Sequence, residues 1–230
     1  MATEDEINPA IATELGNLFP PECVGSPECV GFVASSTPVS YKLFPAEAEC
    51  TTGMAERRLK EFKLGRYCAR ISQLLLGLRA RPVTKGAGRE PQWPPGVIGS
   101  ISHTGEFASA VVAAAATLES VGLDMESAEP LTADIIAMTC LPQENPNQDG
   151  ALGKLLFSIK ESIYKCIFPL VGEYVDFLEM EVRLSEDGQS YYAISHTDKC
   201  PAALIQHLEG RYARLPDLVL SSAWISKHDD

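Results

Sequence analysis

Apolar residues recur at helical intervals in two long stretches of the chain and alternate with polar residues in several short runs. Between Ala55 and Leu76, the positions Leu59, Phe62, Ala69 and Leu76 repeat at helical spacing among good helix formers, which predicts one long helix. A second helix is predicted over about Ala151 to Phe168. There Leu152, Leu156, Ile159, Ile163 and Ile167 form one stripe that should face a core, and Pro169 is expected to end it. Short β-type runs are read at Val97 to Ser102, Phe107 to Ala115 and Val121 to Glu126. A further strand is expected over Leu178 to Leu184, with Glu179, Glu181 and Arg183 on a wet face, and others at Tyr191 to Ser195, Ala202 to His207 and Val219 to Ile225. The first fifty residues read as an irregular lead-in with one short strand near Gly31 to Val33. Arg81 to Gly96 and Leu141 to Gly150 read as loops, and a helix is expected after Pro130. These elements describe an α+β protein.

Composition narrows the picture. A chain of 230 residues that is 45% hydrophobic can bury a sizeable core, as one large domain or two small ones. No apolar run reaches the roughly eighteen residues of a membrane span, and the acidic start MATEDEINPA is not a secretory signal, so the cytoplasm is the expected compartment. The 7 cysteines are odd in number and form no CxxC pair, which suits reduced, packed thiols rather than disulfides or zinc.

The net charge of -12 argues against a nucleic-acid or anionic-membrane partner. Its distribution points elsewhere: ten of the 19 basic residues lie between Arg57 and Arg89, with Glu61 the single acid among them. Such a local surplus suggests a site for a polyanion. Lys63, Arg66 and Arg70 share a helix face by their spacing, with Arg58 upstream, and arginine forks match phosphate oxygens in geometry.

Three further groups carry candidate chemistry. In Val121-Gly-Leu-Asp-Met-Glu126 the carboxylates of Asp124 and Glu126 leave the same face if the segment is a strand, and paired hard oxygen ligands suit magnesium bridging to phosphate. Glu161 and Lys165 have the spacing of an ordinary surface ion pair, but Phe157, Tyr164 and Phe168 share their non-core side, which fits a partly enclosed site. His103 follows Ser102 among small hydroxyl residues at a turn, where it could bond a phosphate.

Three segments, Trp93-Pro-Pro-Gly-Val-Ile-Gly-Ser-Ile-Ser-His103, Val121-Gly-Leu-Asp-Met-Glu126 and Phe157-Ser-Ile-Lys-Glu-Ser-Ile-Tyr-Lys165, together resemble the 4'-phosphopantetheinyl transferases of the surfactin-synthetase (Sfp-like) type. The helix segment Arg57 to Arg70, with Lys85-Gly86 and Glu90-Pro-Gln-Trp93, is most similar to the enterobactin synthase component D and mycobacterial branch. The resemblance covers about residues 55 to 170. It implies a pseudodimer of two similar α+β halves, expected here as 1–115 and 116–230, with coenzyme A in the cleft between them. It implies Asp124, Glu126 and Glu161 as magnesium ligands, and Arg58, Arg66, Lys85, Ser102 and His103 as coenzyme A binders. Lys165 matches the family's lysine beside the pyrophosphate, and Glu161 and Lys165 would be the catalytic pair.

The activity so implied is transfer of the 4'-phosphopantetheine arm of coenzyme A to a serine of an apo acyl or peptidyl carrier protein, with release of adenosine 3',5'-bisphosphate. The enzyme is expected to be a monomer serving secondary-metabolite carriers. A magnesium-dependent phosphohydrolase or nucleotidyl transferase would also explain paired acids and a basic helix, without needing the Trp-Pro-x-Gly to Ser-His segment. A non-catalytic module binding an acidic partner through the basic helix is the third reading.

Overall fold

The computed structural model describes residues 9–19, 29–35, 37 and 40–227. The chain divides between Thr117 and Leu118 into two compact units, where the sequence suggested a division at 115/116.

The first unit holds α1 (Pro9–Asn17), β1 (Cys29–Ala34), α2 (Pro45–Glu49), α3 (Glu56–Leu75), a short hairpin of β2 (Thr84–Lys85) and β3 (Pro91–Gln92), then β4 (Val97–Thr104) and β5 (Phe107–Ala114). Strands β1, β5 and β4 form an antiparallel sheet in that order. Helix α3 packs on β5 and β1, burying Phe62, Tyr67, Cys68 and Ala69, with Phe32, Ala108 and Ala110 in the same core. Two of its buried polar groups are matched by carbonyls of β5, as burial favours. Ser72 Oγ donates to the Ala110 carbonyl at 3.1 Å and Cys68 Sγ to the Ala108 carbonyl at 3.3 Å.

The second unit holds β6 (Leu118–Ser127), α4 (Ala133–Thr139), α5 (Gly150–Val171), β7 (Met180–Leu184), β8 (Ser190–Ser195), α6 (Ala202–Ile205), β9 (Leu208–Arg214) and β10 (Leu218–Ser226). Its antiparallel sheet runs β6-β10-β9-β8-β7. Asp149 starts α5 by accepting from the Ala151 and Leu152 amides at 2.8 and 3.1 Å, a side-chain cap worth about 1 kcal/mol. The predicted stripe is the core contact: Leu156, Ile159, Ile163 and Ile167 are all buried. Truncating any one of them to alanine would cost about 2–5 kcal/mol.

The two units share a plan. In each, the first strand pairs with the last (β1 with β5, β6 with β10) and the penultimate strand pairs with the last. In each, a long helix lies between them in sequence and packs on the first and last strands. The protein is thus α+β with two similarly built halves, the second enlarged by β7 and β8.

Several sequence expectations need correction. The lead-in contains α1 and α2, while residues 1–8, 20–28 and Cys23 with them lie outside the described residues. The Arg81 to Gly96 loop contains the β2–β3 hairpin. Helix α5 continues past Pro169 to Val171: the proline forfeits one ladder bond near the end, and the stop is Gly172, whose φ of 71° suits glycine. Leu178 is exposed in a 3-10 turn, Phe177–Glu179, capped by Asp176, so the strand begins only at Met180. Glu181 is buried, not wet. The apolar run after Pro201 forms α6, too short to show a period, and the strand is Leu208–Arg214. Among the described residues no helix is long and apolar enough to cross a membrane.

Candidate active site

Alternation on β6 sends Ser120, Gly122, Asp124 and Glu126 to one side, and α5 lies against that side. Ser120 Oγ donates to the Cys166 carbonyl at 2.5 Å. A Cβ on Gly122 would sit 1.9 Å from the Ser162 carbonyl oxygen, so only glycine lets the helix backbone come this close. Farther along, Lys165 Nζ donates to Asp124 Oδ1 at 2.7 Å and to the Leu123 carbonyl at 3.2 Å, and Lys154 Nζ donates to Glu126 Oε2 at 3.3 Å.

These contacts gather the charges into one cluster. Burial pushes the Glu161 carboxyl above its ordinary proton affinity; Lys165 opposes this, while Asp124 and Glu126 reinforce it. Burial, then the Asp124 charge, raises Glu126 too, against Lys154 and Lys165. Asp124, Glu126, Glu161 and Lys165 thus lie near enough to feel one another's charge. Lys154 was missed, although it lies seven and eleven residues before Glu161 and Lys165, near whole turns of a helix.

The carboxylates of Asp124, which is buried, and of Glu126 and Glu161, which are partly buried, repel one another and are hard oxygen donors of the type that suits a magnesium-like cation. Among the described residues no group of three or more His, Cys, Asp or Glu is gathered as a metal cage. Lys165 and Lys154 supply the positive charge instead, each bonded to one of the acids.

The residue beside Glu161 fixes the helix. Lys160 and Glu144 form an ion pair at 2.7 Å with both side chains 1% exposed. Lys160 Nζ also donates to the carbonyls of Thr139 and Phe177 at 3.0 and 2.8 Å, and Glu144 accepts the amides of Leu141 and Val182, both at 2.6 Å. Every bond of the pair is answered, so it ties the 141–149 loop and β7 to α5. On the other flank, Tyr164 packs edge-on against Tyr174 at 5.7 Å and Phe157 stacks on Phe177 at 5.3 Å. Tyr164, Tyr174 and Phe177 line a small cavity of about 80 Å³ that reaches Glu161.

The first unit carries the basic site. Arg58, Arg66, Lys85 and His103 all line one cavity of about 340 Å³, with Arg89 and Glu61. Arg58 Nη1 approaches His103 Nε2 at 2.6 Å; since arginine can only donate, that ring nitrogen accepts. Ser102 is buried and does not line the cavity, because alternation on β4 turns it away from Ile101 and His103, which do.

Arg66 is only 7% exposed and donates to the carbonyls of Val83 and Thr84 at 2.6 and 3.1 Å, with its guanidinium 4.2 Å from the Phe62 ring centre. It therefore clamps the base of the β2–β3 hairpin as well as lining the cavity. Arg70 leaves the anion site altogether: it pairs with buried Glu47 at 3.5 Å and stacks over Tyr41 and Phe44. Glu47 in turn accepts the Phe44 and Val83 amides, each at 3.0 Å. Arg89 was missed by sequence reasoning. It sits at the hairpin tip with φ of 72°, a left-handed conformation that costs a non-glycine residue about 1 kcal/mol, and the sequence offered it only as one member of the basic stretch, with no sign of its place in the cavity.

Residues 46–113 match the family model of the 4'-phosphopantetheinyl transferase N-terminal domain, and residues 120–220 match that of the 4'-phosphopantetheinyl transferase superfamily. The chain is 39% identical over 168 residues to the 4'-phosphopantetheinyl transferase Svp of Streptomyces mobaraensis, covering 70% of this chain and 68% of that protein. It is 30% identical over 162 residues to the 4'-phosphopantetheinyl transferase PptT of Mycobacterium tuberculosis, covering 68% and 71%. Enterobactin synthase component D of Salmonella typhi is 32% identical over 144 residues, with 59% of each chain covered.

Proposed function

From the premise that this chain belongs to the 4'-phosphopantetheinyl transferase superfamily, we propose how its residues divide the work of that transfer. The enzyme moves the 4'-phosphopantetheine arm of coenzyme A onto a carrier protein. The phosphohydrolase and nucleotidyl-transferase alternative draws no support from these matches.

The observation that carries the residue assignment is the coupled cluster of Asp124, Glu126, Glu161 and Lys165 where α5 meets β6. Asp124, Glu126 and Glu161 would hold magnesium, which supplies positive charge to the diphosphate as the bond to adenosine 3',5'-bisphosphate breaks. Glu161 accepts the proton of the carrier serine hydroxyl as that oxygen attacks the β-phosphorus. Lys165, oriented by Asp124 and the Leu123 carbonyl, contacts the pyrophosphate oxygens and stabilises the charge that builds on the leaving group. Lys154 restrains Glu126.

In the first unit, Arg58, Lys85, Arg89 and His103 bind phosphates of the coenzyme A nucleotide, and Arg66 contributes chiefly by holding the hairpin on which Lys85 stands. Ser102 is left out of that set. The proposal extends to acyl or peptidyl carriers of secondary metabolism and to a monomer working in the cytoplasm, which suits the free thiols of Cys50, Cys68, Cys140, Cys166 and Cys200.

The test is incubation with coenzyme A, magnesium and an apo carrier domain, read by mass spectrometry. The carrier should gain one phosphopantetheine arm. Glu161→Gln should lower the rate by about 10²–10⁴-fold while circular dichroism stays unchanged. A fully active Glu161→Gln enzyme would remove that residue from the chemistry.

A further inference from the structure

A cavity built to receive phosphate should exclude carboxylates, yet Glu61 stands in the wall of this one beside Arg58 and His103. Its oxygens engage Arg58, which lines the cavity, and Arg57, which does not. Arg58 Nη1 donates to Glu61 Oε2 at 3.1 Å, Arg57 Nε donates to Oε1 at 3.1 Å, and His103 Nε2 lies 3.9 Å from Oε2. The Glu61 side chain is 18% exposed. Partial burial would raise its proton affinity, but the hydrogen bonds from Arg58 and Arg57 outweigh it and hold the carboxyl below its ordinary range. The group is therefore charged near neutral pH.

A carboxylate and a phosphate present similar oxygens to a guanidinium, and the phosphate carries more charge and more acceptor sites. Two anions sharing one cavity repel, and in a partly exposed site that repulsion is screened but not abolished. An arriving phosphate must either tolerate Glu61 or take Arg58 from it.

We propose that Glu61 is a built-in placeholder for the ligand's phosphate, holding Arg58 and through it His103 in receiving geometry until the phosphate takes over Arg58. The inference rests on the assignment of this cavity to coenzyme A phosphates. It makes Glu61 a positioning residue whose charge opposes ligand binding, so that affinity is traded for an ordered empty site. A residue that only braced Arg58 would have the opposite effect when altered, because the ligand would then meet a disordered arginine.

Calorimetry on the full chain, with adenosine 3',5'-bisphosphate as the probe at fixed low salt, decides between these roles. Glu61→Gln, which keeps an acceptor and removes the charge, should lower the Kd about three- to tenfold. Glu61→Asp, which keeps the charge, should stay nearer wild type. An unchanged or weaker affinity in Glu61→Gln overturns the placeholder. Lys85→Ala serves as the control for the cavity itself. If it weakens binding while Glu61→Gln does not tighten it, only the placeholder falls; if Lys85→Ala binds the bisphosphate as well as wild type, the phosphate assignment falls and takes the placeholder with it.

Discussion

Each half of the molecule secures its long helix with one buried glutamate, and the two devices are built from the same parts. Glu47 accepts the amide of Phe44 three residues back, the amide of Val83 ahead of β2, and a cation from α3, Arg70. Glu144 accepts the amide of Leu141 three residues back, the amide of Val182 in β7, and a cation from α5, Lys160. They differ in how dry they are. Lys160 is 1% exposed and bonded at 2.7 Å, with two carbonyls completing its donors, whereas Arg70 is 21% exposed, 3.5 Å from Glu47 and supported by aromatic rings. The repeated fold thus fastens the long helix of its second unit with saturated, water-free bonds and that of its first unit more loosely.

Breaking the dry device should do the greatest damage. Lys160→Met leaves Glu144 charged and buried without its cation, at a cost of about 3–5 kcal/mol, while Arg70→Met should cost less, about 1–3 kcal/mol, because Arg70 is 21% exposed and joined to buried Glu47 by one long bond. Urea unfolding of both variants measures the gap, and equal losses would erase the contrast drawn here.

The helix–sheet seams offer a second, smaller contrast. An added Cβ at Gly122 meets the backbone of Ser162 and Cys166, which cannot move aside, whereas at Gly65 it meets only the Ile101 side chain at 2.9 Å. Gly122→Ala should destabilise by about 3 kcal/mol and Gly65→Ala by about 1 kcal/mol or less, since alanine also favours the helix. Transfer activity should fall with Gly122→Ala even below its unfolding midpoint, because the seam aligns Lys165 with Asp124.

Acid should bear unequally on the two halves. Arg183, then His196, hold Glu181 at about 2 against the cost of its burial. Its folded value lies below that of an unfolded glutamate, about 4.3. The stability it adds is therefore present above about pH 4.3 and lost as pH falls towards 2. Glu181→Gln should flatten part of the decline in urea midpoint between about pH 5 and pH 3, and an unaltered slope would remove Glu181 as its source.

How much of this was legible beforehand depended on the kind of signal. Helices α3 and α5 and strand β6 could be read because their apolar positions repeat over several turns or residues, and the side of β6 shared by Asp124 and Glu126 follows from alternation alone. The four residues of α6 carry no period, so packing after Pro201 decided their form. Spacing also put Arg66 and Arg70 on a promising face, but it cannot distinguish an arginine that meets a ligand from one that meets the Val83 and Thr84 carbonyls or Glu47. Glu61 was visible as the lone acid in a basic stretch, and only its contacts with Arg57 and Arg58 gave that position a meaning.

The clamp at Val83 and Thr84 reaches beyond the enzyme at hand. Glu47 and Arg66 grip the hairpin where it leaves the core, whereas the turn from Gly86 to Glu90 that presents Arg89 is held by bonds within the hairpin itself. A module anchored at its root and self-contained at its apex can be exchanged by grafting or lengthened by insertion while the scaffold below stays intact. Descendants of such a chain could change what the cavity beside Arg89 admits by rewriting that apex alone.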